Sequence, residues 1–342
     1  MERRYYLDLA AAGLRMPIGT HLVLHEQPDP DAVVLDGKRL GAVVAETARR
    51  FRVPIALPLM DLKLEKEAML LARGVPAGEV DTFHFAETPG DSAAFRLTPR
   101  MAAACEAIRT VARETDLLPV GMAIGPFSLM TKLIADPIAP VFMAGTGATA
   151  EDDPEIGLVE RLLDMSFATI TAYLEAQMDA GAKALVLCEP AANGVYFSPN
   201  QLAASYDVFE RYVMRYCRAL RDQLESRGVD LIFHDCGELQ DGMVTRFASL
   251  DPAILSLGSS RELWHDAALV PRSTVLYGNL PTKQFYSDEL MSVDRVRDLA
   301  AGLAARMRAC GHPFILGSEC DVLSVSGREA AIQAKVAAFL EA

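Results

Sequence analysis

The sequence contains no hydrophobic run that could cross a membrane. Its apolar stretches fall short of the roughly 20 residues that a transmembrane helix needs. The N-terminal segment, residues 1–6, lacks the long apolar core and the small-residue cleavage site of a signal peptide. We therefore expect a soluble, cytoplasmic protein without a membrane partner.

Positive charge is also scarce. The chain of 342 residues has 33 Lys and Arg against 46 Asp and Glu, which gives a formal net charge of −13. No basic run interrupts this balance, so the phosphates of a nucleic acid would be repelled rather than neutralised. A nucleic-acid partner is therefore not expected. Hydrophobic residues make up 51% of the chain, enough to form a sizeable core.

Cysteine is sparse as well. Six cysteines in a chain of this length are too few for a disulfide scaffold, and a reducing compartment leaves them free as core residues or ligands. Cys105, Cys217 and Cys310 fall within helical patterns, where a cysteine is usually a small buried hydrophobic side chain.

Short apolar runs alternate with long amphipathic segments along the whole chain. The runs predict strands at 53–60, 80–83, 118–124, 182–187, 230–233, 253–257, 274–277 and 313–316. The amphipathic segments predict helices at 62–72, 100–113, 158–180, 199–227, 293–310 and 327–340. Eight strands alternating with helices predict an α/β fold of the (β/α)8 TIM barrel type.

No linker, low-complexity tract or internal repeat divides the chain, so one barrel domain is expected over residues 1–342. Residues 1–50 are predicted as an N-terminal helical extension with a short extended piece at 33–35. Residues 135–154 are predicted as an irregular insertion into the barrel. A monomer and a homodimer are equally compatible with the sequence.

Three residues with metal-binding chemistry lie at predicted strand ends. His234 and Cys236 follow the fifth strand at i and i+2 spacing, and Cys320 lies just past the eighth strand. The active sites of such barrels collect at the carboxyl ends of the strands. One imidazole and two thiolates suit zinc and leave one coordination position open, as in catalytic zinc sites. The alternative is a hydrogen-bonded loop histidine and two core cysteines.

Several short motifs, taken in order, resemble a known family. They are Gly125-Pro126-Phe127-Ser128-Leu129, Glu189-Pro190, Ser198-Pro199, His234-x-Cys236-Gly237 and Tyr277-Gly278-Asn279. The pattern resembles the uroporphyrinogen decarboxylase superfamily, and more narrowly its branch of zinc-dependent methylcobamide:coenzyme M methyltransferases. The resemblance runs from about residue 31 to the C-terminus and implies a uroporphyrinogen decarboxylase-like barrel.

The resemblance also implies a ligand set and a reaction. His234, Cys236 and Cys320 would bind Zn²⁺, and a zinc-activated small thiol would exchange a methyl group with a corrinoid. The direction of transfer stays open. An Asp-x-His-x-x-Gly motif, the usual corrinoid-binding signature, is absent from the sequence. The methylcorrinoid is therefore expected to arrive as a co-substrate on a separate corrinoid protein.

Two alternatives remain at this point. The first is a cofactor-free decarboxylase of the uroporphyrinogen decarboxylase kind, acting on a porphyrin-like substrate. Residues 7–25 offer only Arg15 where that branch carries an Arg-Gln-Ala-Gly-Arg run, so the basic cradle for substrate carboxylates is missing. The second is a non-catalytic protein that binds a corrinoid or another tetrapyrrole.

Other residues at strand ends are candidates for the same site. Glu189 follows the fourth strand and is a catalytic candidate, either as a fourth zinc ligand or as the partner that orients His234. Cys188, one residue earlier, is expected to point the other way into the core. Asn279 ends the seventh strand and is expected to contact substrate or corrinoid.

Two further positions are candidates for contact with the cofactor. Asp61 follows the first predicted strand and suits an N-cap of the next helix as well as a cofactor contact. Gly125 follows the third strand, where a glycine lets a ligand approach the backbone closely. Glu319 and Asp321 flank Cys320, and their charge would disfavour an anionic thiol such as coenzyme M.

Overall fold

The computed structural model describes residues 3–90, 94–203 and 206–342. The strands in these residues are β1 (Arg15–Ile18), β2 (Ile55–Ala56), β3 (Leu118–Ile124), β4 (Ala184–Cys188), β5 (Asp230–Asp235), β6 (Ile254–Leu257), β7 (Val275–Leu280) and β8 (Phe314–Asp321). The α-helices are α1 (Arg3–Ala11), α2 (Thr20–Leu24), α3 (Pro30–Val33), α4 (Gly37–Arg50), α5 (Leu64–Leu71), α6 (Pro99–Glu114), α7 (Pro126–Thr131), α8 (Ile138–Gly145), α9 (Pro154–Asp179), α10 (Pro199–Ala203), α11 (Arg215–Ser226), α12 (Asp241–Ala248), α13 (Leu263–Asp266), α14 (Val293–Cys310) and α15 (Glu329–Glu341). Short 3₁₀ segments lie at Ala77–Glu79 and Thr282–Gln284, and a π-helical segment at Glu210–Met214.

Within the described ranges, no helix is both long and apolar enough to span a bilayer.

The eight strands are parallel and follow the order β1-β8-β7-β6-β5-β4-β3-β2. Strands that are adjacent in sequence are therefore neighbours, and the chain closes where β1 pairs with β8. The described residues show no ladder between β1 and β2, but Thr20 Oγ1 donates to the Leu57 carbonyl across that gap at 2.8 Å. The predicted (β/α)8 barrel is confirmed. All carboxyl ends of its strands face one side, the barrel mouth.

Helix α1 closes the end of the barrel opposite the mouth. Tyr6 is fully buried and belongs to the apolar cluster that fills the barrel interior. Its hydroxyl donates to Asp230 Oδ2, at the start of β5, at 2.9 Å. A second and larger apolar cluster lies between the strands and the surrounding helices. The interior is therefore packed up to the mouth.

The predicted N-terminal extension contains a barrel strand, so this part of the prediction is wrong. Strand β1 has four residues and includes Pro17, a residue that strands usually exclude. The β1–β8 register shifts between Met16 and Ile18, so the missing N–H of Pro17 falls at an irregularity of the ladder. The extended piece expected at 33–35 is also wrong, because α3 ends at Val33 and a turn follows.

The strand predicted at 80–83 is not formed. The segment is a turn in which the N–H groups of Thr82 and Phe83 donate to the Glu79 carbonyl at 3.1 and 2.9 Å. Val80 is buried, so the residue that suggested a strand packs against the core from a turn. Short apolar runs do not distinguish these cases by periodicity.

Two further predictions differ from the structure in detail. The insertion predicted as irregular at 135–154 contains α8. The helix predicted at 199–227 covers α10, the π-helical segment and α11, while residues 204 and 205 within it lie outside the described residues. By contrast, α14 has the predicted bounds, because Ser292 Oγ caps the N–H of Arg295 and Gly311 ends the helix at φ 67°.

Strand β2 has only two residues, so it covers just the start of β3. Beyond β2, towards the mouth, side chains bond the backbone N–H and C=O groups of β3 that no strand pairs with. Gln177 Oε1 accepts from Met122 N at 2.8 Å, and Gln177 Nε2 donates to Met122 O at 3.0 Å. Glu65 Oε1 accepts from Ile124 N at 3.1 Å, and burial raises the pKa of Glu65 to about 8. Buried backbone groups need such partners, so these side chains replace a strand.

Candidate metal centre at the barrel mouth

The structure brings His234, Cys236 and Cys320 together. His234 is the second-last residue of β5, and Cys236 follows that strand directly. Cys320 is the second-last residue of β8. One ligand atom from each residue lies within 4.8 Å of the other two. Two ligands of one tetrahedral zinc ion lie about 3.8 Å apart, so the spacing is compatible with a shared metal after small side-chain rotations.

The imidazole of His234 is held by a neighbouring strand. His234 and Ser256 are register partners on β5 and β6, so their side chains lie side by side on the same face. His234 Nδ1 is 2.8 Å from Ser256 Oγ. His234 Nε2 is buried and has no hydrogen-bond partner among the described residues. A proton on Nδ1, donated to Ser256, would leave Nε2 with a free lone pair, as metal ligation requires.

The two thiols form a hydrogen-bonded pair. The bond to Cys320, together with burial, raises the pKa of Cys236 to about 12. The same bond lowers the pKa of the Cys320 thiol, with a further contribution from the nearby Lys283 ammonium. Cys320 is therefore the more readily deprotonated of the two thiols. Two adjacent sulfurs beside a free imidazole nitrogen form a donor set that a soft divalent cation would complete.

The carboxylates that flank Cys320 are engaged by other residues. Ser259 Oγ donates to Glu319 Oε2 at 2.6 Å, and the backbone N–H of Lys283 donates to Glu319 Oε1 at 3.3 Å. Asp321 Oδ2 bonds to His21 Nδ1. Among the described residues, the group that could hold a metal comprises His234, Cys236 and Cys320 without either carboxylate.

Glu189 is fully buried and serves a helix rather than the ligand group. Its Oε1 accepts from Phe127 N at 3.1 Å, and its Oε2 accepts from Ser128 N at 2.9 Å, both in the first turn of α7. A carboxylate is stabilised there by the free N–H groups of the helix. Burial nevertheless raises the pKa of Glu189 to about 7, against these hydrogen bonds. The backbone N–H of Glu189 donates to the His234 carbonyl at 2.9 Å, so it supports β5 through the main chain.

Gly125 provides the room that this carboxylate needs. A Cβ atom at Gly125 would lie 2.0 Å from Glu189 Cδ. The close approach that the sequence suggested for a cofactor is made by a side chain of the protein itself. The sequence could not reveal this contact, because the two residues are 64 positions apart and meet only when β3 pairs with β4.

The side chain of Asn279 hydrogen-bonds to the protein backbone. Its side-chain amide donates to the carbonyls of Gly258 and Arg261, both at 2.8 Å. These bonds tie the end of β7 to the loop after β6. The amide nitrogen is therefore committed to the backbone rather than directed at a substrate.

Asp61 lies at the mouth after β2. Its Oδ1 accepts from Lys63 N at 3.3 Å, directly ahead of α5, and its Oδ2 bonds to Arg100 Nη2. Lys63, not Asp61, occupies the N-cap position of α5, and it makes no capping bond with its side chain. The predicted cap is therefore replaced by a turn and an ion pair.

Cys188 is fully buried in the apolar cluster of the barrel interior, so the prediction that it lies in the core is confirmed. It is the register partner of His234 and packs in the interior cluster. Strand alternation places paired residues on one face, and Glu189 lies beyond the end of the strand. The remaining cysteines lie on helices as predicted: Cys105, Cys217 and Cys310.

Sequence reasoning missed three residues around the centre. Ser256 and Lys283 have no local motif and are recognised only through their neighbours. His21 follows β1, the strand that the sequence did not predict. Burial lowers the pKa of His21, but its bond to Asp321 raises it above its usual value. Arg15 lies at the opposite end of β1, where its Nη1 donates to the Leu340 carbonyl at 2.6 Å.

Comparisons with known proteins agree on the family and the fold. The sequence profile of the family described as "Uroporphyrinogen decarboxylase (URO-D)" matches residues 37–339. A uroporphyrinogen decarboxylase of Cellvibrio japonicus is 25% identical over 286 residues, covering 80% of this chain and 75% of the relative. One of Saccharophagus degradans is 26% identical over 219 residues, which are 62% of this chain and 57% of the relative.

A solved structure is similar over nearly the whole chain. It is described as a methyltransferase from Methanosarcina mazei, and it superposes with a TM-score of 0.64. The match covers 96% of this chain and 92% of the other at 16% sequence identity. At this identity the likeness shows the fold alone.

Proposed function

The chain belongs to the uroporphyrinogen decarboxylase family, and within it we propose that this protein is a zinc-dependent methyltransferase. It would move a methyl group between a corrinoid held on a separate protein and a small thiol. The observation that carries this proposal is the group of His234, Cys236 and Cys320 at the mouth, with ligand atoms within 4.8 Å of one another. A corrinoid-free decarboxylase has no need of such a group.

The residues fit zinc on three grounds. The donor set is one nitrogen and two sulfurs, which suits zinc and leaves a position for substrate. His234 Nε2 is buried without a partner in the described residues, and a buried polar atom of this kind needs a ligand. Glu319 and Asp321 are bound to other groups, so neither closes the fourth position.

Each residue of the chain has a defined role in this mechanism. Bound here, zinc would supply the Lewis acid that makes a thiol lose its proton at neutral pH. Ser256 holds the His234 ring through Nδ1, which leaves Nε2 available to the metal. Cys236 and Cys320 contribute the negative charge that keeps an added sulfur nucleophilic. Met60 packs on Cys320, with 3.7 Å between the two sulfurs.

The methyl donor would reach the centre from the open side of the barrel. The interior below the mouth is filled by the apolar cluster, so a corrinoid cannot enter from beneath. The chain has no Asp-x-His-x-x-Gly sequence of its own. A separate corrinoid protein that docks over the mouth is therefore the proposed partner.

Metal analysis with methyl-transfer assays tests the proposal. Purified wild type should contain about one zinc per chain, as one three-ligand site implies. It should also demethylate methylcobalamin when a thiol is supplied, a change visible in the cobalt spectrum. Cys320→Ala should lose both zinc and activity. Cys310→Ala is the matched control, because this cysteine lies at the end of α14 and its thiol bonds to the Met307 carbonyl. If metal analysis finds no zinc in purified wild type, the proposal is contradicted.

The names of the curated relatives favour a decarboxylase as the second candidate. Arg15 argues against it, because this arginine is bound at the far end of the barrel from the mouth. A decarboxylase would act without metal and would tolerate Cys236→Ser. Zinc binding without demethylation of methylcobalamin by any thiol would instead support a non-catalytic corrinoid-binding protein.

A further inference from the structure

A cavity lies beside the edge of β3 that β2 leaves uncovered. Strand β2 pairs with β3 only as far as Ala56 and Pro119, and Val120 and Met122, further along β3, border the cavity. Its other walls are helices α4, α5, α6 and α9. We call this space the β3 cavity. Its apolar lining includes Leu40, Val44, Leu64, Ile108 and Val111. The short strand therefore leaves a mostly apolar space inside the helical layer.

The charged residues of the lining lie where the β3 cavity meets the barrel mouth. Asp61 and Arg100 form an ion pair, and their side chains are 13% and 32% exposed. Asp61 follows Met60, whose sulfur lies 3.7 Å from Cys320 Sγ at the candidate metal centre. The cavity is therefore reached from the mouth side. Because the two charges offset each other, a neutral molecule is favoured over an ion.

Two polar atoms of the lining have no hydrogen-bond partner among the described residues. Tyr173 is buried at 1% exposure, and its hydroxyl makes no hydrogen bond within the described part of the chain. Arg100 Nε is buried and likewise bonds to no described residue. By contrast, the Gln177 amide is committed to Met122 through both its oxygen and its nitrogen. Buried polar groups nearly always have a partner, so these two donors point to a molecule that accepts hydrogen bonds.

The size of the β3 cavity limits what it can hold. The centre of a water molecule can occupy about 50 Å³ of it. One water needs roughly 10–15 Å³ of this measure, so the space suits about three to five waters or a molecule with about as many non-hydrogen atoms. A buried water typically makes about three hydrogen bonds, and the Tyr173 hydroxyl and Arg100 Nε are too few for a group of waters. An apolar molecule with one acceptor fits the lining better.

We propose that the β3 cavity binds a small neutral molecule of about three to five non-hydrogen atoms, apolar except for one hydrogen-bond acceptor such as a ketone or alcohol oxygen. The acceptor would meet the Tyr173 hydroxyl, and the apolar part would pack against α4 and α6. This site is separate from the candidate metal centre, and the inference does not depend on the proposed methyl transfer.

Thermal unfolding with butanone, a neutral ketone with five non-hydrogen atoms, tests the inference. A ligand that binds only the folded state raises the melting temperature in a concentration-dependent way. Butanone should therefore stabilise wild type relative to Ala107→Leu, in which the added carbon atoms fill the cavity. Tyr173→Phe should weaken butanone binding about 3- to 10-fold, as expected for loss of one neutral hydrogen bond. It should not lower the melting temperature of the ligand-free protein, because that hydroxyl bonds to no described residue.

Two matched variants and one polar compound serve as controls. Ala102→Leu adds the same carbon atoms on the exposed face of α6, and Tyr286→Phe removes a hydroxyl from an exposed tyrosine. Both should respond to butanone as wild type does. Propylene glycol, of equal size but more polar, should not distinguish wild type from Ala107→Leu. Equal stabilisation of wild type and Ala107→Leu by butanone would overturn the site, and an unchanged affinity in Tyr173→Phe would overturn the role of the hydroxyl.

A crystal structure of wild type, pressurised with xenon or soaked in butanone, gives a second measurement that needs no variant. Electron density for xenon or butanone beside Tyr173 supports the site. A cavity that holds only ordered waters under both conditions refutes it, even if Ala107→Leu fails to fold.

Discussion

Replacing Ser256 by alanine tests the hydrogen bond that holds His234, while the three metal-ligand candidates themselves stay in place. Ser256 Oγ lies 2.8 Å from His234 Nδ1, and both side chains are buried, at 3% and 1% exposure. In Ser256→Ala the three ligands remain, but the buried Nδ1 loses its partner. The ring can then place its proton on Nε2, which removes the lone pair that the metal uses.

The size of the effect follows from that geometry. A buried donor left without a partner costs about 1–3 kcal/mol. The cost falls on the metal-bound form, in which Nδ1 must carry the proton. Zinc affinity should therefore fall about 10- to 100-fold, the usual range for partners of metal-binding histidines. Stability of the metal-free protein should change little, because the metal-free ring can adopt either tautomer.

Competition with a chromophoric zinc chelator measures the affinity directly. Ser166→Ala is the matched control, since Ser166 is equally buried and its Oγ has no partner among the described residues. That variant should bind zinc as wild type does. The reasoning is refuted if Ser256→Ala keeps wild-type zinc affinity while Cys320→Ala loses it.

Two further predictions concern the edge of β3. Gln177→Leu removes both bonds to Met122 and leaves a buried N–H and carbonyl unpaired, so urea unfolding should show a loss of about 2–4 kcal/mol. A normal urea midpoint for this variant would contradict the assigned role. Burial raises the pKa of Glu65 to about 8, so the folded protein favours the protonated carboxyl group. The resulting contribution to the free energy of unfolding is complete below about pH 4.5 and is lost as pH rises through 8. Glu65→Gln should remove that loss and raise stability at pH 8.5 by on the order of 2 kcal/mol, and an unchanged pH profile would contradict it.

The sequence predicted those parts of the fold that have local signals. Helix α14 carries a serine cap and a terminal glycine, and its bounds were predicted correctly. Strands β3 to β8 are apolar runs between amphipathic helices and were also found. Strand β1 was missed, because four residues with an internal proline leave no alternation to detect. Its register partners on β8 lie 301 to 303 positions away.

For the candidate site, the sequence supplied the residue types and the tertiary structure supplied their assignments. His234, Cys236 and Cys320 could be chosen because their chemistry and their positions at strand ends are both visible in the sequence. Glu189, Asn279 and Gly125 follow the same rule of position, yet in the structure they contact other parts of the protein itself. Candidate metal ligands and residues with a purely structural role both lie at strand ends, so position alone does not separate them.

The sequence alone determined the barrel, its mouth and the three residues suited to a metal. These follow from periodicity and from the chemistry of single side chains, which act over a few residues. Only the tertiary structure decided that Asp61, Glu319 and Asp321 are paired within the protein and that Ser256 lies against His234. Charge pairing depends on distances between residues far apart in the chain, and those distances exist only once the strands have closed the barrel.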